Sequence, residues 1–220
     1  MNTRSLIRLQ PSETPQPTPA PIPADSARFW RSPFEGESLV GAVKVFITQP
    51  AYKSICAHAG GELDDETGGI LVGQWYVDTG AAGEFIVIEE ALPARHTRQG
   101  SVFLTFTQDT IVDFHNEIEE RFPGKQIVGW YHTHPRMGIF FSHYDTWLHN
   151  HFFPEAWQVA LVVEPHQDLG GLFIRQVNGS FDPARYFGFY ELETDPQGSI
   201  VHWNNLQRAA GDSHAGGETQ

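Results

Sequence analysis

The residues of this chain best suited to chemistry are His132 and His134, followed after seven residues by Ser142 and, three positions further on, by Asp145. Side chains alternate faces along an extended strand, so His132 and His134 project from one face with their Cα atoms roughly 6.5 to 7 Å apart. Two imidazoles at that spacing and a carboxylate can hold one zinc ion and leave a coordination position open, as hydrolytic metal centres require. The alternative is a pair of strand histidines satisfied by ordinary hydrogen bonds. Ser142 and Asp145 carry an alternative of their own, because Ser-x-x-Asp ahead of apolar residues is also a helix capping pattern.

Such a set needs a strand and a helix start to hold it. The apolar run 127–131 leads into the histidines and predicts a strand over 126–134, which Pro135 ends. A helix is expected over 142–152. The intervening loop, 136–141, is unusually apolar at Met137, Ile139, Phe140 and Phe141, and reads equally as core or as the lining of a groove for an extended substrate. Elsewhere, strands are expected over 39–48, 69–77, 84–91, 158–164 and 172–177, with a hairpin turn at 78–83. A helix over 49–59 is stopped by Gly60 and Gly61, and an amphipathic helix over 107–122 is closed by Pro123 and Gly124. Strands mixed with a few helices in no regular βα alternation predict an α+β fold, a mixed β-sheet flanked by helices.

Bulk properties narrow the function classes. With 27 acidic and 14 basic residues and a formal charge of -13, the chain lacks the basic footprint of a nucleic-acid binder. Its single cysteine, Cys56, excludes an internal disulfide, leaves any zinc to histidine and carboxylate ligands, and fits a reducing compartment. No apolar run approaches the roughly 18 residues of a membrane span, and the first residues lack a signal-peptide core. The expectation is a soluble cytoplasmic protein that engages neither nucleic acid nor membrane. Prolines alternate with small polar residues over 11–23, and residues 208–220 are rich in Gly, Ala and polar types. The expected organisation is a disordered Pro-rich tail over 1–27, one domain over 28–206 and a disordered tail over 207–220.

The arrangement His132-x-His134, seven residues, Ser142, two residues, Asp145 resembles the signature of the JAB/MPN (JAMM) zinc metalloproteases, which also includes a distant upstream glutamate. Gly129, Trp130 and Tyr131 resemble the segment that precedes it in deubiquitinating members, and the similarity extends over residues 39–178. The resemblance implies the MPN/JAB fold, which is cytidine deaminase-like. It implies that His132, His134 and Asp145 ligate one zinc ion with a bound catalytic water, that the glutamate is general acid and base, and that Ser142 donates to the oxyanion. Glu66, which abuts the Gly68, Gly69 strand start, best matches the glutamate; Glu62, Asp64 and Asp65 compete as a solvated acidic loop. The implied activity is a metallopeptidase or isopeptidase that cleaves after the C-terminal glycine of ubiquitin or a ubiquitin-like protein.

The short run between Asp145 and the next strand leaves little room for the long insertion with which some eukaryotic members of the family it resembles grip ubiquitin. It resembles compact, bacterial-type members that process small ubiquitin-like or sulfur-carrier proteins beside E1-like and E2-like conjugation enzymes. Two other readings stay open: a non-catalytic MPN scaffold, and a hydrolase of small molecules, peptides or sulfur-carrier conjugates on the same framework. His143, His149 and His151 also leave a different ligand set open, since Asp145 and His149 are one helical turn apart.

Overall fold

The computed structural model describes residues 15–34, 42–80, 83–94, 106, 108–176, 178–193 and 198–209. The chain runs β1 (Thr18–Ala20), β2 (Ala27–Arg31), β3 (Lys44–Thr48), α1 (Gln49–Gly61), β4 (Gly68–Asp78), β5 (Glu84–Pro93) and α2 (Gln108–Arg121). It continues through β6 (Gln126–Thr133), α3 (His143–Phe152), β7 (Val159–Glu164), β8 (Leu169–Phe173), β9 (Phe189–Leu192) and β10 (Gln207–Arg208). The strands make one sheet in the order β10-β2-β9-β3-β5-β4-β6-β7-β8, with β1 added to β4. Parallel pairs (β3 with β5, β6 with β7) sit beside antiparallel ones (β4 with β5, β4 with β6), so the fold is α+β on a mixed sheet.

Alternation along the strands divides the core between the two faces. Leu71, Val128, Tyr131 and Leu161 face α1, which contributes Tyr52 and Ile55, whereas Ile70, Trp130 and Val162 face α2 and α3. One irregularity sets the phase of β6. Its register against β4 passes from Leu71↔Gly129 to Val72↔Ile127, so Val128 is an extra residue. That bulge turns Ile127 and Trp130 to the α3 side and Val128 and Tyr131 to the α1 side. A Cβ at Gly129 would stand 2.1 Å from the carbonyl oxygen of Val159, so only glycine lets β7 approach there.

Thr48 caps α1 by accepting from the N–H of Ala51, and α1 runs through Gly60 to Gly61. The strand expected over 172–177 forms earlier, at Leu169–Phe173, because β8 takes its register from the hairpin with β7 (Glu164↔Leu169). Residues 15–27, expected within a disordered tail, are built into the fold. Thr18–Ala20 pairs in parallel with Tyr76–Asp78, and Ala20, Ile22 and Ala27 cover the aromatic patch of Phe46 and Phe85. Proline is tolerated because β1 is an edge strand, whose outer side needs no donor. At the other end β10 pairs with β2, so the tail expected over 207–220 begins inside the fold, and its residues 210–220 lie outside the described residues. Among the described residues no helix is long and apolar enough to cross a membrane.

Candidate metal centre

β6 delivers His132, and the chain just beyond it delivers His134, whose N–H donates to the Val163 carbonyl at 2.8 Å. β7 thereby holds the histidine that follows the strand end. The loop then reverses through Arg136, in the left-handed region at φ 61°, and its N–H donates to the fully buried Glu164 carboxylate at 3.0 Å. Glu164 also accepts from the N–H groups of His166 and Gln167, so a single carboxylate ties the loop to the β7–β8 turn. The loop divides as its alternatives had it: Phe141 is core, while Met137 and Phe140 are exposed at 42% and 37%.

The loop delivers Ser142 as the N-cap of α3. Ser142 Oγ accepts from the N–H of Asp145 at 3.1 Å, and the Ser142 N–H donates to Asp145 Oδ2 at 2.7 Å. Capping is therefore part of what these residues do. Accepting that bond uses a lone pair of the hydroxyl and not its proton, which serves the Asp145 carboxylate. Leu148 and Phe153, both buried, anchor α3 to the sheet, each contributing roughly 1.5 to 3 kcal/mol. That packing brings Asp145 to the histidines.

His132 Nε2 and His134 Nε2 stand 3.0 Å apart. Asp145 Oδ1 is 3.3 Å from the first and Oδ2 is 3.8 Å from the second. All three residues are buried, and among the described residues they are the grouping of ligand atoms that could hold a metal ion. Donors about 2.0 to 2.1 Å from a tetrahedral ion lie about 3.3 Å from one another, so the donor set fits. His132 Nδ1 is buried with no hydrogen-bond partner among the described residues, and the Nε2 atoms of both histidines are the ones turned to each other and to the carboxylate.

The electrostatics suit a cation. Burial and then the neighbouring His132 push His134 down to about 4, against the pull of Asp145, so its lone pair is available at neutral pH. Burial works to raise Asp145, but hydrogen bonds from His132 and Ser142 outweigh it and hold the carboxyl well below the usual range. A neutral imidazole and an ionised carboxylate are the forms that bind metal.

Glu66 is half-buried at the start of β4. The register Gly68↔His132 continues outward, since the N–H of Thr133 donates to the Thr67 carbonyl at 2.8 Å and the N–H of Thr67 donates to Thr133 Oγ1 at 2.9 Å. Glu66 thus comes next to the strand end that carries His134. From α1, His58 backs this contact, 2.8 Å from the Tyr131 hydroxyl and 3.2 Å from that of Thr67. The competing acids are exposed: Glu62 accepts from the N–H groups of Asp64 and Asp65, and Asp64 pairs with Arg136.

Of the other histidines, His143 and His151 are exposed and His149 is turned away from the cluster, its Nδ1 accepting from the Trp130 indole N–H at 2.9 Å. Helical spacing singled out His149, but only β6 in place shows what it touches.

Residues 48–171 match the family profile Prok-JAB, prokaryotic homologs of the JAB domain, and the chain belongs to that family. Over 72 residues it is 38% identical to a Theionarchaea archaeon (strain DG-70-1) protein named NAD(+) hydrolase TcpA, a match covering 32% of this chain and 21% of that protein. The solution structure of a Desulfitobacterium hafniense protein aligns with a TM-score of 0.45 at 19% identity, covering 64% of this chain and 91% of that one.

Proposed function

We propose that this chain is a zinc-dependent metallopeptidase that hydrolyses the peptide or isopeptide bond after the C-terminal glycine of ubiquitin or a ubiquitin-like protein. The observation that carries the reading is the convergence of His132, His134 and Asp145, all buried, on one point beside the exposed loop residues Met137 and Phe140. These three residues would hold the ion, which when bound supplies Lewis acidity and makes a nucleophile available near neutral pH. Glu66 takes up the proton released by the nucleophile and returns it to the leaving amine, a role worth about 10² to 10⁴ in rate. Ser142 turns its O–H from the Asp145 carboxylate to the developing oxyanion, where one donor is worth about 10² to 10³.

Met137, Phe140 and Trp147, exposed at 42%, 37% and 47%, and Leu63 in the acidic loop leading to Glu66 give apolar surface to an extended tail. α3 ends at Phe152 and β7 begins at Val159, so the segment after Asp145 has no insertion with which to grip a large substrate. That favours a small ubiquitin-like or sulfur-carrier protein, with E1-like and E2-like enzymes as pathway partners in the cytoplasm.

The match to a protein named as an NAD(+) hydrolase supplies the second reading, a small-molecule hydrolase on the same framework. The chain spans about a fifth of that relative's length, so NAD+ enters as a parallel substrate. The test incubates the protein with ubiquitin-like proteins carrying C-terminal extensions, and separately with NAD+, with and without chelator and as Glu66→Ala. Chelator-sensitive cleavage after glycine that Glu66→Ala abolishes while retaining zinc is expected. Cleavage insensitive to chelator or to Glu66→Ala overturns the mechanism. Turnover of NAD+ alone moves the substrate class, and zinc-free wild-type protein points to a non-catalytic scaffold.

A further inference from the structure

Metal-binding histidines are ordinarily aimed by a hydrogen bond from the ring nitrogen that does not face the ion. His132 has no such partner among the described residues, for its Nδ1 is buried without one. Its ring lies flat against the Trp130 indole instead, with centroids 4.5 Å apart and planes within 10°. Phe153 is nearly parallel to the same indole, at 5.9 Å and 9°. Parallel stacking sets the tilt of a ring but leaves it able to turn and slide in its own plane. The group that holds the indole within its plane is His149, fully buried, whose Nδ1 accepts the indole N–H at 2.9 Å.

We propose that His149 is a positioning residue for the metal centre: by holding Trp130 in place it orients the stacked His132 ring, doing at one remove what a hydrogen bond to His132 Nδ1 would do. This rests on the reading of His132, His134 and Asp145 as metal ligands. His149 is not itself one of them, because its Nδ1 is taken by the indole and its ring sits among Phe141, Phe153 and Phe181, with centroids at 6.1, 5.9 and 4.6 Å. It stands one helical turn after Asp145, so α3 carries both a ligand and the brace for another ligand on β6. The task needs an uncharged acceptor. A carboxylate there would have its charge stranded among aromatic rings, whereas imidazole or a carboxamide would not.

The test measures zinc affinity of the full chain by competition with a chromogenic chelator, and the absorption bands of the cobalt-substituted protein, which report ligand geometry without turnover. The variants are His149→Phe, His149→Gln, Trp130→Phe and the Trp130→Phe, His149→Phe pair, each checked for folding by thermal unfolding in chelator. Wild type should bind one zinc. His149→Phe should weaken binding about 10- to 100-fold and shift the cobalt bands, as loss of an orienting partner does. His149→Gln, which keeps an acceptor, should restore most of the affinity. Trp130→Phe should weaken binding similarly, and adding His149→Phe to it should do nothing more, because both remove the same bond. Wild-type affinity and spectrum in folded His149→Phe overturn the proposal, as does a double variant whose losses add. If His149→Phe does not fold, unchanged affinity and spectrum in Trp130→Phe overturn it alone. Absence of zinc from wild type overturns the ligand reading, a separate result.

Discussion

Thr67 and Thr133 are joined twice. The N–H of Thr133 donates to the carbonyl of Thr67 at 2.8 Å, and the N–H of Thr67 donates to the hydroxyl oxygen of Thr133 at 2.9 Å. Because both are buried and flank Glu66 on one strand and the two histidines on the other, this pair sets the proposed base against the proposed ligands.

Thr133→Val keeps the shape and removes the acceptor, leaving the Thr67 N–H buried without it. Stability should fall by about 1 to 3 kcal/mol by denaturant unfolding. Turnover should fall further than zinc content, since the ligands are untouched while the start of β4 loosens; Thr133→Ser should behave as wild type. Equal turnover per folded molecule in Thr133→Val would show that Glu66 needs no such alignment.

Ser142→Ala separates two roles of one hydroxyl. Loss of the cap should cost about 0.5 to 2 kcal/mol in unfolding free energy. Loss of the donor should lower kcat by about 10² to 10³ with zinc retained. A change in stability with normal kcat would leave Ser142 as a cap only.

Burial, then the nearby Arg175, push His149 down to about 3. The unfolded chain takes up a proton near the ordinary value of about 6.5, while the folded chain does not until far lower pH. The unfolded state therefore binds more protons between those values. The associated stability is complete above about 6.5 and is lost as pH falls toward about 3, at up to about 1.4 kcal/mol per pH unit. Urea unfolding in chelator across pH 4 to 8 should show His149→Phe with a shallower slope than wild type, and equal slopes would mean that His149 is accessible to protons in the fold.

Gly129→Ala would place a Cβ 2.1 Å from the Val159 carbonyl oxygen, in backbone that cannot swing aside. Forcing β6 from β7 should destabilise by roughly 1 to 3 kcal/mol or more and reduce zinc affinity, because β7 also holds His134. Isothermal titration with zinc on the folded fraction checks the second effect; unchanged affinity would uncouple the two strands from the site.

Much of the fold was legible because its central elements are long and periodic. The helices at 49–61, 108–121 and 143–152 and strands β4 to β7 follow from apolar spacing and from breakers such as Pro123, although α1 runs on through Gly60. β1 and β2 were not, since prolines and mixed residues at a sheet edge carry no alternation signal. They are ordered by what they cover, an aromatic patch on strands that lie far along the chain. The bulge at Val128 was equally invisible, and strict alternation alone would not have told which face of the sheet the histidines share with α3.

By itself the sequence determined the donor set: residue types and spacing made His132, His134 and Asp145 a metal site in prospect and Ser142 a cap or donor. Tertiary structure decided that these atoms meet, which required α3 to pack on the α2 side of the sheet and β7 to hold His134. It also decided that His149, equally spaced for ligation, serves the indole instead. Spacing along a helix constrains which residues share a face. Which neighbour that face meets depends on packing between segments distant in the chain, where local pattern carries no information.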